Sequence, residues 1–241
     1  MVARVIDALS DRLADRIAKR VVSQLYFREL HPSTLLQREA QAEAAAYVKE
    51  KMPGALYFME REPLLRYAVD QVTRPGLMLE LGVFSGKSIW VIAQRTPRVV
   101  HGFDSFEGLP EDWTGNKDPK GQYSTGGRMP DVPANVRLHR GWFSDTLPGF
   151  LEAHSEEIAF MHIDCDLYSS TRTVLEATAG RLREGTVIVL DDYFNFPGWR
   201  NHEFKALQEF VRATGIEYEY IGYARHQVAL ILRRAPSPPA R

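Results

Sequence analysis

The chain has a single cysteine, Cys165, so no intramolecular disulfide can form and no cysteine-based zinc site can be built. It has no excess of either charge. The 30 Lys and Arg residues face 31 Asp and Glu, which removes a global field for nucleic acid or an anionic membrane. Long apolar runs are missing: stretches such as TVIVL fall far short of the roughly 20 residues of a membrane span. The opening MVARVIDALSDRLADR carries Asp7, Asp11 and Asp15 inside its apolar pattern, so it is not expected to be a signal peptide. A soluble, cytoplasmic setting is expected. What is present is 241 residues, 44% of them hydrophobic, enough for one α/β domain with a buried core.

Val2, Ile6, Leu9, Leu13, Ile17 and Val21 recur at steps of three and four, which predicts an amphipathic helix over residues 2–25. Its other face mixes Arg4, Arg12, Arg16 and Lys19 with the three aspartates. That mixture suits packing on the domain or on a second subunit better than a membrane surface, which favours a basic face. Two more helices are predicted, in LLQREAQAEAAAYVKEKM before Pro53-Gly54 and in EPLLRYAVDQVT before Pro75-Gly76.

From Gly76 strands and helices alternate. The strands are LMLELGV, VVHGFD, VRLHRGW, IAFMHIDCD and TVIVLDD, and EYEYIGY and QVALILR close the chain with no helix between them. Repeated β-α units mean a parallel sheet covered on both faces. The terminal pair adds an antiparallel hairpin. This describes a Rossmann-like methyltransferase sheet of seven strands rather than a dehydrogenase, whose second half repeats β-α units. The expected organisation is a helical segment over 1–53, a domain over 54–234 and a disordered tail over 235–241. Residues 113–133, Gly- and Pro-rich, are expected to form a lid over the site.

Two acidic clusters stand out: Asp164 and Asp166 in FMHIDCDLY, and Asp191 and Asp192 in TVIVLDDYF. Each closes a strand, at the end where open α/β sheets bind ligands. Helix capping explains one acid per strand end but not two. Four gathered carboxylates call for a positive partner, and a hard dication such as Mg2+ takes oxygen ligands. Strand alternation puts His162, Asp164 and Asp166 on one face and Cys165 on the other. His162 and Cys165 are expected in the core. Asp191 and Asp192 are adjacent, so both reach one ion only if the backbone turns there.

The first strand runs into ELGVFSGKS. A phosphate-binding loop needs four residues between its glycines, and Gly82 to Gly86 is one short. A dinucleotide fingerprint needs a glycine where Phe84 stands. S-adenosylmethionine has no phosphate and carries a cationic amino group, which makes Glu80 useful beside the loop. Asp104, about twenty residues on, is placed to accept ribose hydroxyls; that supports an adenosine ligand without choosing which. Tyr168, Tyr193 and Trp199 follow the acidic clusters and suit either stacking on a ligand or packing. His202, at the start of the last helix, is a further candidate for touching substrate.

ELGVFSGKS, GFDSFEGLP, HIDCDLYSST and VIVLDDYFNFPGW together resemble the macrocin, mycinamicin and noviose sugar O-methyltransferases, the TylF type, over roughly residues 50–232. These are class I S-adenosylmethionine-dependent enzymes that need Mg2+. The resemblance implies that Asp164, Asp191 and Asp192 hold the metal and that Asp166 is the general base. It implies cofactor contacts from Glu80, Gly82, Ser88, Asp104, Ser105, Trp142, Phe143 and Asp164, with the adenine near Trp142 and Phe143. It further implies a homodimer or higher homo-oligomer and a sugar acceptor, either a small glycoside or a polysaccharide terminus. A catechol or phenolic O-methyltransferase is the alternative within the fold, because vicinal phenols chelate a metal in the same way. A non-catalytic adenosine-binding module has no use for four clustered carboxylates.

Overall fold

The computed structural model describes residues 2–236. Three short apolar runs form the centre of its sheet: β2 (Leu77–Leu81), β5 (Ile158–Ile163) and β6 (Val187–Leu190). Every residue in them is buried, as a parallel sheet covered by helices on both faces requires. Around them lie β1 (Leu56–Phe58), β3 (Val100–Asp104), β4 (Val136–Arg140), β7 (Glu217–Ala224) and β8 (Gln227–Arg234). The order across the sheet is β1-β7-β8-β6-β5-β2-β3-β4. β8 runs antiparallel to β6 and β7, and the remaining pairs are parallel. The sheet is therefore the Rossmann-like, mostly parallel one that the alternation predicts, with eight strands instead of seven. The extra strand, β1, is three residues long, too short to show an alternation, and its Leu56 and Tyr57 lie exposed at the sheet edge.

The helices are α1 (Val2–Leu30), α2 (Pro32–Lys51), α3 (Arg61–Asp70), α4 (Lys87–Arg95), α5 (Phe143–Ala153), α6 (Tyr168–Thr178) and α7 (Glu203–Thr214). Successive strand residues face opposite layers. Leu79 and Leu81 of β2 join Phe150, Leu175 and Leu207 from α5, α6 and α7, while Met78 joins Leu64 and Ile89 from α3 and α4. Each such apolar side chain contributes on the order of 1.5–3 kcal/mol by leaving water.

From β2 the chain steps outward through β3 to β4, then returns to β5 on the other side of β2. That reversal opens a crevice at the carboxyl ends of β2 and β5, the usual ligand position in open α/β sheets.

α2 docks on the sheet through buried Ala40 and Ala44, and the Tyr47 hydroxyl lies 2.8 Å from that of Tyr220. Leu13, Ile17, Val21 and Leu25 of α1 are exposed. The side chains of Val2, Ile6 and Leu9, and all of the expected tail beyond residue 236, lie outside the described residues. Among the described residues no helix is long and apolar enough to cross a membrane.

Candidate active site

Gly82 makes the turn after β2 possible. Its φ is +98°, and a Cβ there would lie 1.7 Å from the Asp164 carbonyl oxygen, so the ends of β2 and β5 meet only at a residue without a side chain. Phe84, in the place of a glycine, also adopts a left-handed conformation at φ +48°. Asp104 holds this turn in place. The Val83 and Phe84 amides each donate to its Oδ2 at 2.8 Å, and the Phe106 amide donates to Oδ1 at 2.6 Å. One carboxylate thus ties the turn after β2 to the turn after β3.

Glu80 and Ser88, both expected among the cofactor contacts, do not line the cavity at this end of the sheet. Glu80 sits in the middle of the sheet with no access to water, so its charge is met by its register neighbour on β5. His162 Nδ1 donates to Glu80 Oε1 at 2.8 Å, and the Ser88 hydroxyl bonds to the same carboxylate. His162 is indeed a core residue, with its Nε2 3.4 Å from Asp191 Oδ1. Burial opposes its charge, but the carboxylates of Asp191 and Glu80 outweigh burial and push its pKa well above the ordinary histidine range.

β5 ends just before Asp164, whose amide donates to Leu81 O at 2.8 Å. Asp166 follows in a left-handed conformation, φ +62°, in a tight turn that leads into α6. Such a backbone state is tolerated by aspartate better than by most residues, yet it stores strain. β6 delivers Asp191 and Asp192, with the Asp191 amide donating to Ile163 O at 3.0 Å. Carboxylate oxygens of Asp164, Asp166 and Asp192 lie within 4.8 Å of one another, and so do ligand atoms of His162, Asp164 and Asp191. The expected ligands Asp164, Asp191 and Asp192 are therefore spread over two overlapping groups that share Asp164. Asp166, the expected base, stands as near Asp164 and Asp192 as a ligand would.

The electrostatics separate the acids. Burial, followed by neighbouring carboxylates, pushes Asp164 and Asp166 well above the usual carboxylate range. Burial would raise Asp191 too, but His162, Arg61 and Gln227 outweigh it and hold Asp191 low. Gln227 Nε2 donates to Asp191 Oδ1, and Arg61 Nη1 stands 2.5 Å from Asp191 Oδ2. Arg61 Nη2 and His226 Nδ1 approach Asp192 Oδ1 at 3.4 and 3.5 Å. Behind them the buried Glu203 accepts the Asp192 amide at 3.0 Å. Asp191 Oδ2 is buried and in no aligned hydrogen bond. The all-carboxylate group of Asp164, Asp166 and Asp192 suits a hard dication, while the group that contains Asp191 adds a His162 nitrogen.

Asp164, Asp166 and Asp192 line a cavity of about 440 Å³, which Gly82, Asp104, Ser105, Trp142 and Phe143 line as well. Asp191 does not line it and sits behind the wall. Trp113, Lys117, Asp118 and Tyr123, from the segment expected to be a lid, complete one side. That segment is tied together by Trp113 N–H to Asp118 O at 3.0 Å and by the Tyr123 hydroxyl to Asp118 at 3.1 Å. His202 donates from Nε2 to Thr114 O at 2.8 Å and packs against Trp113, so it anchors this segment and does not line the cavity. Tyr193 and Trp199 are buried in packing, and Tyr168 bonds to Glu209; none of the three lines the cavity.

Sequence reasoning missed Arg61, His226, Gln227 and Glu203. Only Arg61 left a local signal, since a basic residue at the start of a helix opposes the helix dipole.

Residues 79–193 match a family described as a methyltransferase domain. The chain is 32% identical over 164 residues to the 8-demethyl-8-(2,3-dimethoxy-alpha-L-rhamnosyl)-tetracenomycin-C 4'-O-methyltransferase of Streptomyces olivaceus, covering 56% of this chain and 60% of that one. It is 28% identical over 236 residues to the mycinamicin III 3''-O-methyltransferase of Micromonospora griseorubida, covering 85% and 89%. Among solved structures, the O-methyltransferase NovP superposes with a TM-score of 0.58 at 24% identity, over 72% of this chain and 80% of that one. The calicheamicin methyltransferase CalS11 gives a TM-score of 0.58 at 20% identity, over 83% and 93%. These two structural likenesses establish the fold.

Proposed function

We propose that this chain, which is similar to a methyltransferase domain over residues 79–193 and to two sugar O-methyltransferases, methylates a sugar hydroxyl with S-adenosylmethionine, assisted by Mg2+. The observation that carries this reading is the meeting, on one cavity, of three carboxylates with the Gly82 turn and Asp104. Asp164, Asp191 and Asp192 would hold the metal. When bound, S-adenosylmethionine supplies an electrophilic methyl group, and Mg2+ supplies a Lewis acid that makes the acceptor hydroxyl more acidic.

The residues of this chain supply the rest. Gly82 lines the cavity where β2 and β5 meet, Asp104 has one lone pair left for a ribose hydroxyl, and Trp142 and Phe143 offer aromatic surface to the adenine. Asp166 would take the proton of the acceptor hydroxyl as that oxygen receives the methyl group. A positioned base of this kind contributes on the order of 10²–10⁴-fold. Holding the two reactants in line contributes much of the remainder.

The test is a methyl-transfer assay over a panel of saccharides and catechols, with and without EDTA. Transfer to saccharides that stops on chelation is the expected result; full activity after exhaustive chelation refutes the role of the metal, and transfer to catechols alone replaces the acceptor. Asp164→Asn, Asp191→Asn and Asp192→Asn should lose activity that excess Mg2+ or Mn2+ partly restores. Asp166→Asn should keep metal and cofactor affinity while losing turnover that higher pH partly restores. A metal-rescuable Asp166→Asn would mean that base and ligand are interchanged.

A further inference from the structure

Arg61 is the first residue of α3 and lies about 130 positions from the acidic end of β6, yet its guanidinium spans both acids there. It stands 2.5 Å from Asp191 Oδ2 and 3.4 Å from Asp192 Oδ1. A cation at a helix N-terminus is disfavoured by the helix dipole, so local preference does not explain its presence. The two acids explain it.

The pairing is lopsided in a useful way. The Arg61 side chain is 44% exposed, whereas those of Asp191 and Asp192 are 3% and 9% exposed. Asp191 Oδ1 is claimed from the interior by Gln227 and His162, and the arginine meets the other oxygen, Oδ2. The contact with Oδ2 is close enough for an ion pair, but it is not an aligned hydrogen bond. The interior partners thus fix the acid, while Arg61 answers its charge from the open side. A dication coordinated by Asp191 and Asp192 would meet that unit positive charge at ion-pair distance, where like charges repel strongly in a partly buried site.

We propose that Arg61 is a displaceable counter-cation for the metal site: it neutralises Asp191 and Asp192 while no dication is bound and gives up their oxygens when one binds. The long, half-exposed side chain has solvent to move into. Two consequences follow. The acids stay paired at low Mg2+, and the site binds Mg2+ less tightly than its carboxylates alone would allow. This inference rests on the metal-assisted reading above.

The test uses the full chain, as the parent and as Arg61→Gln and Arg61→Lys variants. Mg2+ binding is measured by calorimetry, and thermal unfolding is recorded in EDTA and in excess Mg2+. Arg61→Gln should unfold several degrees below the parent in EDTA, regain most of that difference in Mg2+, and bind Mg2+ about tenfold more tightly or better. Arg61→Lys, which keeps the charge, should stay near the parent in all three measurements. Unchanged or weaker Mg2+ binding by Arg61→Gln overturns the inference, because Arg61 would then be packing or a support for the bound ion. If Arg61→Gln does not fold, arginine side-chain NMR of the parent decides. The Arg61 guanidinium signal should move to the position of a solvated arginine as Mg2+ is added, and an unmoved signal overturns the inference. A parent that binds neither Mg2+ nor Mn2+ removes the metal reading itself, which is a separate failure.

Discussion

Asp104→Ala tests the cavity at its most heavily bonded residue. The carboxylate accepts three backbone amides, from Val83, Phe84 and Phe106. Hydrogen bonds to a charged group contribute about 1.5–3 kcal/mol each, so three set an upper bound of roughly 4–9 kcal/mol. Phe84 is exposed, and water can replace its bond; Val83 and Phe106 are buried, and their amides are left short of a partner. A net loss of about 2–4 kcal/mol follows, which for a chain of this size lowers the unfolding midpoint by about 5–15 °C. The ribose hydrogen bond proposed for the same carboxylate adds a separate loss of about 1.5–3 kcal/mol in cofactor affinity, or roughly 10- to 200-fold in Kd. Calorimetric unfolding, with titration of S-adenosylmethionine well below both midpoints, measures the two effects independently. An unchanged midpoint would refute the tie between the two turns. A lowered midpoint with unchanged affinity would leave that tie standing and remove the ribose assignment.

Two further outcomes are expected. Burial first, and then the neighbouring His139 and His154, pushes the His101 pKa down from 6.5 to about 4. A base with a depressed folded pKa stays neutral in the folded state while the unfolded chain takes up a proton, so stability is lost as pH falls from about 6.5 toward 4. The full gap corresponds to about 3 kcal/mol, and the half-exposed ring discounts it to about 1–2 kcal/mol. His101→Asn should therefore lose less stability than the parent between pH 7 and pH 5 in chemical denaturation, and equal losses would contradict this account. Residues 113–133, whose Trp113, Lys117 and Tyr123 line the cavity, are expected to close over bound ligands. Limited proteolysis in this segment should slow when S-adenosylhomocysteine and an acceptor are both present; equal rates of cutting would exclude a lid.

The sheet was legible in the sequence because its central strands are short, mostly apolar runs and β-α alternation implies parallel strands. β1 was not, since three residues with two exposed side chains carry no period. At the site the acids were legible by position, because a strand end followed by two carboxylates is a local pattern. What those side chains touch was not. Glu80 was expected to face the ligand, yet residue type and register across β5 turn it toward His162, a pairing 82 residues apart. Arg61 and His226 reach Asp192 from α3 and from the β7–β8 turn, and no local pattern joins them. Asp104 is a mixed case. Its bond to Phe106 lies two residues away and is a familiar turn, while its bonds to Val83 and Phe84 cross 21 and 20 positions.

The proximity of Asp166 to Asp164 and Asp192 leaves two ways to divide the acids, and the surroundings favour one of them. A permanent metal ligand should stay ionised and fixed. Asp191 meets both conditions, since His162, Gln227 and Arg61 outweigh burial and hold its pKa low while Gln227 fixes one oxygen. A base should be free to accept a proton and should gain by doing so. Burial and neighbouring carboxylates raise the proton affinity of Asp166 and Asp164 alike, and what sets Asp166 apart is its left-handed backbone at a turn that borders the cavity. Local preferences are broken most densely here, with a strained aspartate, a strained Phe84, an arginine at a helix start and four carboxylates together. The buried sheet around them supplies the stability that lets such an arrangement persist. Strain of this kind is retained where the chemistry needs a group held in place, and among the four acids it falls on Asp166, the one assigned to move a proton.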